Sequence, residues 1–189
     1  MSISAELTKR LAERGALLQG HFRLSSGRHS DRYISKFRIL EDPRLVEPLA
    51  KEIARAFRDA QPTVVVSAAV GGIVLGYETA RALGITAIFV EKENGKAVLR
   101  RGFGLNENDR ALVVEDVVTT GLSVREVIDV VRATGAQVTG VGAIVVRGTA
   151  DFGVPTVALL HMPLESYEET DCPQCAKGVP IDDPGSRRT

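Results

Sequence analysis

Leu112-Val113-Val114-Glu115-Asp116-Val117-Val118-Thr119-Thr120-Gly121-Leu122-Ser123 runs from an apolar strand through two adjacent carboxylates into a turn of hydroxyls and glycine that opens a helix. Such a turn offers free backbone N–H groups, hydroxyl donors and the positive end of a helix dipole, a combination that suits a phosphate monoester. Glu115 and Asp116, when ionised, only accept hydrogen bonds, so they match the hydroxyls of a sugar carrying that phosphate. A ligand-free strand and N-cap would explain the Thr and Ser residues but not two like charges side by side, which repel unless a partner is present. The expected ligand is a phosphosugar. No G-x-G-x-x-G follows a strand and no G-x-x-x-x-G-K-[ST] occurs, which removes the common dinucleotide and nucleoside triphosphate motifs.

The flanking sequence alternates short apolar runs with amphipathic segments. Thr63–Ser67, Ile85–Val90, Arg110–Val114, Val138–Val146 and Pro155–Leu160 read as strands, the first few apolar enough to be buried on both faces. Pro43 opens a helix in which Leu45, Leu49, Ile53 and Phe57 recur every fourth residue. Further helices are expected from Gly71-Gly72 to Leu83-Gly84 and from Val124 to Thr134 with Gly135 as its stop. Ala5–Glu13 reads as a short amphipathic helix, and Phe22–Ser35, with turn chemistry at Ser25-Ser26-Gly27, as a hairpin or a pair of short strands. This order predicts an α/β fold with a mostly parallel central sheet flanked by helices.

The 189 residues suffice for one domain with a sizeable core. Within it, residues 1–40 are expected to form an N-terminal hood, 91–109 a mobile flap after the turn Glu93-Asn94-Gly95, and 165–189 a C-terminal tail. With 24 basic and 24 acidic residues there is no net charge to grip a nucleic acid, so no nucleic-acid partner is expected. The N-terminal residues lack the pattern of a signal peptide and no apolar run approaches bilayer-spanning length, so a cytoplasmic protein with no membrane partner is expected. The only cysteines form Cys172-Pro173-Gln174-Cys175. That spacing could be half of a zinc site completed by His161 or a second subunit, or a redox pair. A knuckle-like turn without metal is the preferred reading, and no residue is assigned as a metal ligand.

In open parallel sheets, ligands collect outside the carboxyl ends of the strands. Three loops therefore converge: Ser67-Ala68-Ala69-Val70-Gly71-Gly72, whose small residues let backbone approach a polyanion; Glu115–Ser123; and the segment beginning at Arg147, whose planar fork suits a carboxylate. Glu91–Gly102 carries Lys92, Lys96, Arg100 and Arg101, enough charge to close over a diphosphate.

The acid, acid, two apolar, Thr, Thr, Gly, any, Ser order resembles the phosphoribosyl diphosphate (PRPP) motif of type I phosphoribosyltransferases. Phe22-Arg23-Leu24-Ser25-Ser26-Gly27-Arg28-His29-Ser30-Asp31-Arg32-Tyr33 resembles the N-terminal segment of orotate phosphoribosyltransferases, which purine phosphoribosyltransferases do not share. The resemblance spans Phe22 to Arg147 and implies the type I phosphoribosyltransferase fold, with the hood segment helping to enclose the base. It implies PRPP contacts from Glu115, Asp116, Val117, Val118, Thr119, Thr120, Gly121, Leu122 and Ser123, orotate contacts from Thr119 and Arg147, and catalytic roles for Lys92 and Asp116. It also implies Mg²⁺ held mainly through PRPP and a homodimer in which the flap reaches the partner's active site. Gly71 and Ser25 stand where many members carry lysine, the flap lacks a histidine found in many relatives, and the closing Pro184–Arg187 matches a Cys-bearing subgroup.

The implied reaction is transfer of ribose 5-phosphate from PRPP to orotate, giving orotidine 5′-monophosphate and diphosphate in de novo UMP biosynthesis. A phosphoribosyltransferase for a purine or uracil, and a PRPP-sensing regulator without catalysis, are the alternatives. The regulator requires a basic face, which a neutral chain does not advertise.

Overall fold

The computed structural model describes residues 3–24, 26–149 and 151–184. Ser25 and the end of the Pro184–Arg187 match lie outside the described residues. The chain divides into two compact units, one drawn from Met1–Ile39 and Pro163–Thr189, the other Leu40–Met162.

In the first unit, α1 (Ile3–Glu13) buries Leu7 and Leu11, four residues apart on one face. The hairpin read from the sequence is present as β1 (Leu17–Arg23) and β2 (His29–Ile34), antiparallel from Leu17↔Ile34 to Arg23↔His29 with a bulge between Gln19 and Phe22. A short helical turn, α2 (Phe37–Leu40), precedes the second unit.

The second unit opens with α3 (Pro43–Phe57), whose N-cap Asp42 accepts from the Arg44 backbone N–H and whose Pro43 occupies the first turn, where no donor is needed. There follow β3 (Val64–Ala68), α4 (Gly71–Leu83), β4 (Thr86–Glu93), β5 (Lys96–Leu99), β6 (Arg110–Val118), α5 (Leu122–Ala133), β7 (Gln137–Val146) and β8 (Thr156–His161). The six strands pair in the order β5-β4-β3-β6-β7-β8. All neighbours are parallel except β5, which returns antiparallel along β4 as an edge strand. The fold class read from the sequence is the one observed.

The period-2 rule separates the two faces of the sheet. Val64, Val66, Ala111, Val113, Val141 and Ala143 pack in one cluster with Val124, Val127, Ile128 and Val131 of α5. On the other face, Val65 and Ser67 lie against Gly76 of α4, and Gly140 and Gly142 against Phe57 and Ile53 of α3. Helices therefore cover both faces, and the glycines of β7 form the groove into which α3 settles.

Two boundaries differ most from the expectation: the hairpin begins at Leu17 rather than Phe22, and the central strand runs further. The central strand was expected to stop at Val114, yet β6 continues through Glu115 and Asp116 to Val118 because β7 keeps pairing with it as far as Val118↔Val146. On its other side β3 stops pairing at Ser67↔Val114. The two acids thus sit on a strand overhang paired along one edge.

After β8 the chain returns to the first unit, where the tail carries α6 (Pro173–Ala176). It bonds along the hairpin: Asp182 N–H donates to His21 O at 2.7 Å, Arg23 N–H to Asp182 O at 2.9 Å, and His29 and Tyr167 exchange backbone bonds of 2.8 Å. Among the described residues, no helix is long and apolar enough to cross a membrane.

Candidate functional site

The overhang of β6, the turn after it and the first turn of α5 form a solvent-open cavity lined by Glu115, Val117, Val118, Thr119, Thr120, Gly121, Leu122, Ser123 and Val124. Eight of the nine PRPP-motif residues named from the sequence line it; Asp116, 1% exposed, lies behind the wall. Gly121 occupies the N-cap position with φ 78°, a left-handed conformation that glycine adopts without a Cβ penalty. It places no side chain over the first turn of α5, so the N–H groups there face the cavity end of the helix. Thr119, Thr120, Leu122 and Ser123 are exposed at the rim.

The carboxylates are held by backbone. Glu115 Oε1 accepts from the Asp116 N–H at 3.0 Å, and Asp116 Oδ1 from the Val117 N–H at 2.6 Å. Glu115 is 7% exposed, so both acids sit in a region of low dielectric where their charge acts strongly on whatever enters.

The other two loops meet the first. A Cβ on Gly72 would stand 3.3 Å from Glu115 Oε1, so the absence of a side chain there is what lets the loop after β3 reach the acid. That loop is tied to the sheet by Ala69 N–H donating to Val90 O at 2.9 Å, and its Ala69–Val70 peptide is cis. Arg147, half-buried, follows β7 directly, and its backbone N–H donates to Val118 O at 2.9 Å. A Cβ built on Gly148 would stand 3.9 Å from Thr119 O. Thr119 and Arg147, named together from the sequence, are thus brought side by side at the strand ends.

Lys92 is placed differently. It lies exposed near the end of β4 and donates to Glu126 Oε1 on α5 at 3.0 Å. Two more of the flap's cations also meet acids: Arg100 pairs with Glu93 at 3.2 Å and Arg101 with Glu91 at 2.8 Å. The Arg101 hydrogen bond holds the Glu91 carboxyl below the usual carboxylate range. These pairs are exposed and exchange readily for another anion. The hairpin turn has positive φ at Asn94 (50°) and Gly95 (79°), the signature of the tight turn expected at this pair.

Sequence reasoning missed Val124 as a lining residue and Glu126 as the partner of Lys92. Neither is legible without knowing which side of α5 faces the overhang. It also missed what surrounds the cysteines. Cys172 and Cys175 lie against His21 and His29, whereas His161, the histidine named for that role, ends β8 in the other unit. The available signal was that two of the chain's three histidines fall eight positions apart within one hairpin.

Residues 38–151 match the family described as the phosphoribosyl transferase domain. An orotate phosphoribosyltransferase from Pelotomaculum thermopropionicum is 50% identical over 176 residues, covering 92% of this chain and 93% of that protein. One from Desulforamulus reducens is 48% identical over 176 residues, 92% of each. The crystal structure of orotate phosphoribosyltransferase from Aeropyrum pernix superposes with a TM-score of 0.66 at 31% identity, over 82% of this chain and 93% of that one.

Proposed function

This chain belongs to the orotate phosphoribosyltransferase family, and we infer from that membership that it transfers the ribose 5-phosphate group of PRPP to orotate, giving orotidine 5′-monophosphate and diphosphate. The observation that carries the reading is the Glu115–Ser123 cavity at the carboxyl end of the central strand, where acids, hydroxyls and a helix N-terminus line one space.

In this reading the turn from Val117 to Ser123 takes the 5-phosphate on N–H and hydroxyl donors, and Glu115 and Asp116 take the ribose hydroxyls. Bond breaking to the leaving group runs ahead of bond making, so positive charge grows on the ribose ring as diphosphate departs. Two buried carboxylates stabilise that charge electrostatically, and they do so without reorganising because backbone already holds them. Arg147 takes the orotate carboxylate through its planar fork, with Thr119 beside it. Lys92 exchanges Glu126 for the diphosphate when the flap closes, and the flap serves the neighbouring active site of a homodimer. Holding two reactants in line supplies roughly 7–11 kcal/mol of barrier lowering, so no covalent nucleophile is needed.

The donor set suits Mg²⁺ held chiefly by ligand oxygens. Two carboxylates already engaged by backbone N–H groups and a rim of neutral hydroxyls do not make an all-protein cage. Glu115 and Asp116 are the residues that could contact such an ion, directly or through water, and the ion when bound supplies charge neutralisation for the diphosphate. The enzyme of this reading is cytoplasmic.

Turnover of a panel of bases with PRPP and Mg²⁺ tests the assignment. Orotate is expected to be consumed and adenine, hypoxanthine and uracil left untouched. Turnover of a purine without orotate would overturn it.

A further inference from the structure

We propose that His21, His29, Cys172 and Cys175 bind one structural Zn²⁺ that staples the C-terminal tail to the N-terminal hairpin. The four ligand atoms lie within 4.8 Å of one another. His21 Nε2 stands 3.1 Å from His29 Nδ1, 3.5 Å from Cys172 Sγ and 3.6 Å from Cys175 Sγ, while Cys175 Sγ stands 3.2 Å from His29 Nδ1. A tetrahedral zinc with Zn–N of roughly 2.0–2.1 Å and Zn–S of about 2.3 Å spaces its ligand atoms by ~3.3–3.8 Å. These four edges match such a tetrahedron to within a few tenths of an ångström, and all six fall within 4.8 Å, so a small inward shift closes the site on an ion.

Burial and orientation point the same way. His21, His29 and Cys172 are 4%, 2% and 3% exposed, so the cluster is closed to solvent on most sides and has four protein ligands with no open position. His21 Nδ1 stands 2.8 Å from Val179 O; donating its proton there leaves Nε2 as a bare lone pair aimed at the cluster. An outer hydrogen bond to a backbone carbonyl is how metal-binding imidazoles are oriented and their tautomer selected. The backbone bonds of His21 to Asp182 and of His29 to Tyr167 fix the hairpin side of the site against the tail that carries the cysteines.

The chemistry selects the ion. Two thiolates with two imidazoles in a tetrahedron favour zinc over magnesium or calcium, which take oxygen ligands. Both cysteines are free thiols here, available as ligands. On binding, each thiol gives up its proton and the two sulfurs donate electron pairs to the ion, so uptake of Zn²⁺ releases two protons per site. The site lies wholly within the hairpin-and-tail unit and does not depend on which base the chain uses.

Metal analysis of the full-length chain, purified without chelator, is expected to find about one zinc per chain. Cys175→Ser and His29→Asn are expected to lower zinc retention by at least ~tenfold. Chelation should make both thiols of the wild type reactive toward a disulfide reagent and lower its melting temperature, with Zn²⁺ alone and not Mg²⁺ restoring both. Should the variants fail to fold, Co²⁺ substitution of the wild-type chain still decides, because a tetrahedral site of two sulfurs and two nitrogens gives intense visible bands and sulfur-to-cobalt charge transfer. A wild-type chain that retains neither zinc nor cobalt, or that carries a Cys172–Cys175 disulfide in place of metal, would overturn the proposal.

Discussion

Asp116 shows how one side chain is made useful by its surroundings. Its carboxylate is 1% exposed, and its Oδ1 accepts from the Val117 N–H at 2.6 Å, so backbone fixes its orientation. Asp116→Asn keeps shape and most hydrogen bonding but removes the charge that, in the proposed reaction, acts on the ribose ring from behind the cavity wall. We expect kcat to fall by at least ~100-fold with the melting temperature nearly unchanged, the loss typical of one preorganised electrostatic group. Steady-state kinetics beside a thermal melt checks this, and wild-type turnover would remove Asp116 from the mechanism. Arg147→Ala removes a charge-assisted bond worth roughly 1.5–3 kcal/mol, so KM for orotate should rise ~10- to 150-fold while KM for PRPP moves little. Equal losses for both substrates would refute the carboxylate role.

Among the elements, β7 depends on what it lacks. A Cβ on Gly140 would fall 2.2 Å from Phe57 Cε1 and 2.8 Å from Pro155 O, the second a backbone atom that cannot swing aside. Gly140→Ala should therefore cost roughly 1–3 kcal/mol of stability by forcing α3 off the sheet, measurable by urea unfolding. A neutral result would mean that α3 seats itself elsewhere. The helices and strands themselves were largely legible, because the four-residue repeat from Leu45 to Phe57 and the apolar runs carry their own periodicity. The end of β6 was not. Two charged residues look like the end of a buried strand, and only the continued pairing with β7 keeps Glu115 and Asp116 in it. Likewise, Gly72 reads as a helix-entry glycine, while its second use, clearing room for Glu115, needs the loop and the strand in one place.

For the whole molecule, the flap is the segment whose proposed role reaches beyond one chain. Lys92, Arg100 and Arg101 are held by Glu126, Glu93 and Glu91, exposed ion pairs that a diphosphate can displace. If the flap of one subunit completes the site of the other, Lys92→Ala and Asp116→Asn are each nearly inactive alone, yet a mixed dimer contains one site with both residues intact. Mixing and reassorting the two variants should then restore activity well above either parent. No recovery, with dimers verified by sedimentation, would place each flap over its own site.

What the linear order carried was everything local or periodic: the alternation of strands and helices, the hydroxyl-and-glycine turn before α5, the hairpin and the tight turn at Asn94-Gly95. Short-range sterics, hydrogen-bond capacity and the two periodicities are written in neighbouring residues, so they need no distant partner. Placement across long separations was decided by packing alone. The tail could fold back on the hairpin only once backbone bonds joined Asp182 to His21 and Tyr167 to His29, and that pairing set two histidines against two cysteines some 150 positions away. Such a meeting depends on the path of the whole chain, and spacing within either segment holds no record of it.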